Sequence, residues 1–119
     1  MSRTRALIVV ALLVIFVAVG GAIIYANNRP GNQHLTFNLT VTGATKMTPD
    51  TLNARQGDTV TINVTSDQDG EVHLHVYDIP FEVKAGQTVS HTFTADKTGT
   101  CLIEWEDTSA PLGNLIVSP

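Results

Sequence analysis

Residues 58–66 read "DTVTINVTS", and this stretch decides the fold. Its apolar residues Val60, Ile62 and Val64 alternate with short polar side chains. Successive side chains of a β-strand point to opposite faces of its sheet. This period of two therefore predicts a strand with one buried face and one face toward solvent.

The same alternation recurs along the chain after Tyr25, where no convincing helical period is present. Further strands are predicted at Leu35–Val41, Thr88–Thr94, Cys101–Glu106 and Leu112–Pro119. Turn-forming sequences separate the runs, among them "RQGD" (55–58), "KAGQ" (84–87) and "DKTG" (96–99). The sequence therefore predicts an all-β fold, a Greek-key antiparallel β-sandwich of roughly seven or eight short strands.

An apolar segment, Ala6–Ile24, precedes the predicted sandwich and contains no charged side chain. As a helix it would be about 28 Å long, close to the thickness of a bilayer core. Arg3 and Arg5 lie before it, which favours an amino terminus on the cytoplasmic side. One N-terminal transmembrane helix is therefore predicted, with the rest of the chain outside the cytoplasm.

Three regions follow from this interpretation: a signal anchor or transmembrane helix over 1–25, a linker over 26–33 and a β-domain over 34–119. A cleaved signal peptide is the alternative, because Ala18-Val19-Gly20 resembles a small-x-small cleavage site. The domain is expected at the cell membrane as a single-pass protein if the segment is retained, and as a secreted protein if it is cleaved. Both outcomes place it outside the cytoplasm.

Charge and cysteine content exclude several classes of function. The 119 residues include 7 Lys and Arg against 11 Asp and Glu, and all the acidic residues follow the apolar segment. A nucleic-acid partner is not expected, because phosphate binding requires a concentrated basic face. Cys101 is the only cysteine, which excludes an intramolecular disulfide and a multi-cysteine zinc site.

Three segments of the chain resemble successive strands of the cupredoxin family. They are "TPDTLNARQGDTVTINVTSD", "HVYDIPFEVKAGQTVSHTFTADKTGT" and "LGNLIV", and the resemblance covers nearly all of Thr36–Val117. It implies a Greek-key β-sandwich. In blue-copper members it also implies a copper site built from one early His and a late loop with Cys, His and usually Met.

The resemblance places His75 at the early His position, but the late loop departs from the family pattern. Trp105 stands where the ligand Cys belongs, and Cys101 stands at a position that is usually aromatic. Four residues along a strand span about 13 Å, so Cys101 cannot replace that thiolate. A thiolate-bound blue-copper site is therefore not expected.

A different metal site is suggested by the His-x-His pair in "HLHVYD". Other cupredoxin-like extracytoplasmic domains carry a similar His-x-His-x-Tyr-Asp stretch, with a later acidic residue or histidine in place of the Cys loop. His73 and His75 are two residues apart, so in a strand they share one face about 6–7 Å from each other. Glu104, Glu106 and Asp107 lie on or near the late strand. The two histidines, together with Glu106 or Asp107, are predicted to bind copper or a similar ion. Two imidazoles and a carboxylate suit Cu(II) or Zn(II) and tolerate Fe(II).

The alternative interpretation gives these histidines no ligand role. Val72, Leu74 and Val76 alternate with them and would form the buried face of the strand. His73 and His75 would then be ordinary polar residues of an exposed face.

No catalytic constellation is present, so an enzyme is not expected. The predicted function is a membrane-anchored, extracytoplasmic cupredoxin-like protein that stores, delivers or senses copper, with a metal-delivery or envelope protein as partner. One alternative is a metal-free interaction module of an envelope assembly, which Trp105 in place of a ligand would favour. A second alternative is an electron-transfer copper protein, which would need Cys101 as a ligand.

Overall fold

A computed structural model describes residues 32–119, which contain nine β-strands and no helix. The strands are β1 (His34–Thr42), β2 (Lys46–Thr48), β3 (Thr51–Arg55), β4 (Thr59–Ser66), β5 (Gly70–Leu74), β6 (Ile79–Val83), β7 (Thr88–Thr94), β8 (Gly99–Trp105) and β9 (Ala110–Ser118). They belong to one compact unit, Gly31–Pro119. The predicted helix over 6–24 and most of the predicted linker lie outside the described residues. Within residues 32–119, no helix is long and apolar enough to cross a membrane.

The strands form two sheets packed face to face. The four-stranded sheet has the order β2-β1-β4-β7, and the five-stranded sheet has the order β3-β9-β8-β5-β6. In β4, Val60, Ile62 and Val64 are buried, whereas the Thr and Asn residues between them are partly exposed. The all-β fold and the alternation expected for this strand are thus confirmed.

The sandwich is mixed, so the prediction of a purely antiparallel arrangement was wrong for two strand pairs. β1 is parallel to β4, and β3 is parallel to β9. The chain leaves the four-stranded sheet after β2, forms β3 in the other sheet and returns as β4 beside β1 in the same direction. Parallel neighbours need such a long crossover, and a local pattern of alternation carries no information about it.

The core lies between the sheets and consists of the inward side chains of both. Ile62 and Val64 come from the four-stranded sheet, and Leu74, Phe81 and Ile103 come from the five-stranded sheet. Burial of each such side chain contributes about 1.5–3 kcal/mol relative to exposure. The core therefore depends on one side of each strand and leaves the outward side free to vary.

The pairing of β5 with β8 positions the candidate site. Val72 lies opposite Trp105, and Leu74 lies opposite Ile103, in an antiparallel register. All four side chains are buried, at 0–3% exposure. The residues between them must then point outward, and these are the residues that carry titratable groups.

Candidate metal centre

A group of histidine and glutamate side chains lies on the outer face of the five-stranded sheet. We call it the His–Glu cluster, and its members are Glu71, His73, His75, Glu104 and Glu106. β5 contributes the first two, and β8 contributes Glu104. Because Val72 and Leu74 are fully buried, the pleat turns their neighbours on β5 to the outer face.

Backbone hydrogen bonds bring together the members that lie beyond the strand ends. His73 is the register partner of Glu104. The backbone N–H of His75 donates to the carbonyl of Leu102 at 2.9 Å, and the backbone N–H of Glu106 donates to the carbonyl of Glu71 at 2.9 Å. The ladder between the two strands is therefore extended at both ends, and it brings both histidines close to the glutamates of the late strand.

Carboxylates surround the imidazole of His73 on two sides. Its Nδ1 lies 3.2 Å from Oε2 of Glu106 and 3.6 Å from Oε2 of Glu71. Its Nε2 lies 2.8 Å from Oδ1 of Asp78. A neutral imidazole donates from one nitrogen and accepts at the other, so a hydrogen bond from Nε2–H to Asp78 leaves Nδ1 able to bind a cation.

The imidazole of His75 pairs with a different glutamate. Its Nε2 lies 2.6 Å from Oε1 of Glu104. The rings of His73 and His75 are stacked, with centroids 4.8 Å apart and planes inclined by 18°. Side-chain exposure is 18% for His73 and 13% for Glu104, but 41% for His75, so the inner part of the cluster is shielded and its rim is open to solvent.

The donor atoms of the cluster form two groups with metal-ligating composition. Glu71, His73 and Glu106 form one group, and His75, Glu104 and Glu106 form the other; within each, the donor atoms lie within 4.8 Å of one another. Glu106 is the member they share. Nitrogen and carboxylate oxygen donors of this kind suit Zn(II), Cu(II) and Fe(II).

The four residues predicted as ligands have different positions. His73, His75 and Glu106 all belong to the cluster, although the two histidines fall in different groups. Asp107 belongs to neither group. It lines a shallow concavity of about 350 Å³ beside the cluster, together with Asp69 and Lys84.

Sequence reasoning missed Glu71 as a cluster member and Asp78 as a partner of His73. Glu71 lies two residues before His73 on β5, so the period of two could have placed it on the same face. Asp78 reaches His73 through the turn 75–78, in which both Val76 (φ 73°) and Asp78 (φ 54°) have positive φ. A β-branched residue rarely adopts this conformation. Val76 lies in the turn after β5 and is 54% exposed, so its predicted place on the buried face was wrong.

The only cysteine lies on the inward side of β8. Cys101 and Trp105 are 1% and 3% exposed, and they alternate with the outward residues Leu102 and Glu104. Burial raises the pKa of the Cys101 thiol, against a weaker opposing effect of Lys97. The thiol therefore lies in the core, on the opposite side of the sheet from the His–Glu cluster.

No protein family profile matches the chain, and no curated protein matches it. Solved structures do. A copper binding protein in its apo form is 13% identical, with a TM-score of 0.62, over 76% of this chain and 93% of that one. A blue copper oxidase from Nitrosomonas europaea is 20% identical with a TM-score of 0.55, over 73% of this chain. The fold is cupredoxin-like.

The solved structures differ in how much of their own length this chain covers. The chain spans 39% of the blue copper oxidase, so the match corresponds to part of that protein. A chain in the structure of a heme-copper terminal oxidase dimer is 15% identical with a TM-score of 0.56, and the match covers 98% of this chain and 100% of that one. At these identities the cupredoxin-like likeness concerns the fold.

Proposed function

We propose that this protein binds Cu(II), or a similar divalent transition metal, at the His–Glu cluster of a cupredoxin-like domain. The observation that carries the proposal is the convergence of His73, His75 and three glutamates on one outer face of the five-stranded sheet. The protein acts as a metal-binding protein rather than an enzyme. It works outside the cytoplasm, anchored by the apolar segment Ala6–Ile24.

Electrostatics supports a cation at this position. Carboxylate oxygens of Glu71 and Glu106 share one group, and those of Glu104 and Glu106 share the other. Like charges this close repel each other, and a divalent cation between them turns the repulsion into attraction. Lys84 and Lys97 form ion pairs with Asp69 and Asp96, outside the cluster.

The exposed position of the cluster favours storage, delivery or sensing over electron transfer. A metal exchanged with a partner must be reachable, and Glu106 is 46% exposed while His75 is 41% exposed. The buried thiol of Cys101 lies on the other side of the sheet, so the cluster offers no thiolate. The names of the structural neighbours, a copper binding protein and a blue copper oxidase, agree with copper as the metal.

A metal titration tests the proposal. The full-length chain, purified in mild detergent, is titrated with Cu(II) and Zn(II) beside the double variant His73→Ala/His75→Ala. We expect micromolar or tighter binding that weakens at least about 100-fold in the variant, because ligation is lost. The matched control is Thr61→Ala/Thr92→Ala, on the outer face of the other sheet. Equal binding by all three proteins would contradict the proposal.

An interaction module of a membrane assembly is the second candidate function. It is favoured by the end-to-end match to a chain of the heme-copper terminal oxidase dimer structure. Under this hypothesis a tagged full-length chain, purified from its native membranes, should retain a heme-containing complex detectable by its visible spectrum. The His73→Ala/His75→Ala variant should retain that complex equally well. Purification of the chain without heme would count against this candidate.

A further inference from the structure

The His–Glu cluster divides into two groups of ligands that have one residue in common. Glu71 and His73 stand on one side, His75 and Glu104 on the other, and Glu106 belongs to both groups. We propose that the cluster binds two divalent cations, bridged by the carboxylate of Glu106. This inference rests on the proposed metal-binding function and specifies its stoichiometry, its ligand sets and its class of metal.

The stacking of the two imidazoles argues against a single shared ion. A metal bound to an imidazole nitrogen lies in the plane of the ring, along the lone pair. The rings of His73 and His75 are stacked 4.8 Å apart and inclined by only 18°, so their planes run side by side. In this arrangement of the rings, one ion does not lie in both planes within bonding distance of both nitrogens. Each histidine is therefore placed to bind an ion of its own.

The contacts in each group fit one ion. At metal–ligand distances of about 2 Å, two donors on the same ion stand about 3–3.5 Å apart. Nδ1 of His73 lies 3.2 Å from Oε2 of Glu106 and 3.6 Å from Oε2 of Glu71, close to the separation expected for two donors on one ion. The 2.6 Å contact between His75 and Glu104 is shorter, and rotation of the half-exposed imidazole can open it.

Charge balance agrees with two dications. The cluster contains the carboxylates of Glu71, Glu104 and Glu106, and Asp78 adds a fourth at Nε2 of His73. Four negative charges are balanced by two divalent cations, whereas one dication would leave an excess of negative charge. Asp78 acts here as a positioning residue, because its hydrogen bond directs Nδ1 of His73 toward Glu71 and Glu106.

The donor set also selects the class of metal. Two imidazoles and three carboxylates are borderline and hard donors, which favour Zn(II), Cu(II) or Fe(II). Cu(I) prefers thiolate or thioether sulfur. Cys101 lies in the core on the opposite side of the sheet, and Met47 is buried as well. We therefore expect divalent ions at both positions, with Cu(I) binding more weakly than Cu(II).

Native mass spectrometry of the full-length chain with Zn(II) gives the stoichiometry directly. We expect two ions in the wild-type protein and one each in His73→Ala and His75→Ala, because each substitution removes a ligand from one group only. Glu106→Gln should weaken the second ion at least about 10-fold. Thr61→Ala, on the outer face of the four-stranded sheet, is the control and should still bind two. Circular dichroism establishes that each variant is folded.

A second measurement uses Cu(II) as the probe. Two Cu(II) ions that share one carboxylate lie close enough for their unpaired electrons to interact, so the EPR spectrum at two equivalents should be broadened relative to that of an isolated Cu(II). In His75→Ala the single remaining Cu(II) should give the unbroadened spectrum.

The possible failures are distinguishable. One Zn(II) in the wild-type protein, lost in both single histidine variants, would overturn the two-ion centre and leave the metal-binding function standing. Two Zn(II) ions that both survive Glu106→Gln with unchanged affinity would overturn the bridging role. No Zn(II) or Cu(II) bound by the wild-type chain would overturn the proposed function together with the inference.

Discussion

The outer faces of the two sheets differ sharply although the inner faces are built alike. On the four-stranded sheet, neutral side chains pair across strands: Thr61 with Thr92 at 2.8 Å, and Thr65 with Thr88 at 2.9 Å. On the five-stranded sheet, the outward residues of β5 and β8 and the residues just after these strands form the His–Glu cluster. In β4, β5 and β8 the alternate residues are buried, whereas Val89 and Phe93 on the inward side of β7 are only partly buried.

The difference shows which part of the sequence the fold constrains. The core needs only the inward residues, so the outward residues can satisfy each other or serve another purpose. On the four-stranded sheet, the hydroxyl groups of Thr61 and Thr65 are paired with those of Thr92 and Thr88. On the five-stranded sheet, carboxylates and imidazoles contact each other and form two groups with metal-ligating composition. We therefore place function on the five-stranded sheet.

The largest expected effects concern the inner faces, where the two sheets should behave alike. Ile62→Ala in β4 and Leu74→Ala in β5 should each lower the free energy of unfolding by about 2–5 kcal/mol, because both side chains are buried and leave a cavity. Urea denaturation of the two variants measures this. If either variant lost less than about 1 kcal/mol of unfolding free energy, the two inner faces would not contribute equally to stability.

An intermediate effect is expected at the edge of the cluster. Asp78→Asn removes the carboxylate that lies 2.8 Å from Nε2 of His73 and should weaken divalent metal binding about 10–100-fold. Isothermal titration with Zn(II) measures the affinity. Thr61→Ala, on the outer face of the other sheet, is the control. An unchanged affinity in Asp78→Asn would show that His73 needs no positioning residue.

A smaller effect is expected on the outer face of the four-stranded sheet. Thr61→Ala removes the hydrogen bond to Thr92 and should cost about 0.2–1 kcal/mol of stability. It should leave metal binding unchanged. If this variant changed the metal affinity as strongly as Asp78→Asn, metal binding would not be confined to the outer face of the five-stranded sheet. Urea denaturation and Zn(II) titration on the same preparation compare both quantities.

The smallest effect concerns the thiol on the inward side of β8. Burial raises the pKa of Cys101 in the folded protein, so unfolding releases a thiol that ionises more easily. Its contribution to stability is complete below the ordinary cysteine pKa of about 8.5 and is lost as the pH rises above it. Stability should therefore fall more steeply in alkaline solution for the wild type than for Cys101→Ala, as measured by urea denaturation. Equal pH slopes would contradict this.

Much of the fold and part of the site could be predicted from local pattern. The period of two identified β4 and put Cys101, Ile103 and Trp105 on one side of β8, because the pleat alternates side chains whatever the neighbouring strand is. It did not find β2, whose three residues include a single buried side chain, Met47. A strand this short is too brief to show a period.

The amino-acid sequence by itself determined which side of each strand is apolar, and hence the sandwich, whereas the outward position of His73 came from the structure. Only the tertiary structure decided the parallel pairing of β1 with β4 and the partners of each histidine. The reason is physical. Alternation is a property of a single strand, whereas pairing and register arise from contacts between segments far apart in the chain. The contacts of Glu106 with residues of β5 depend on that register.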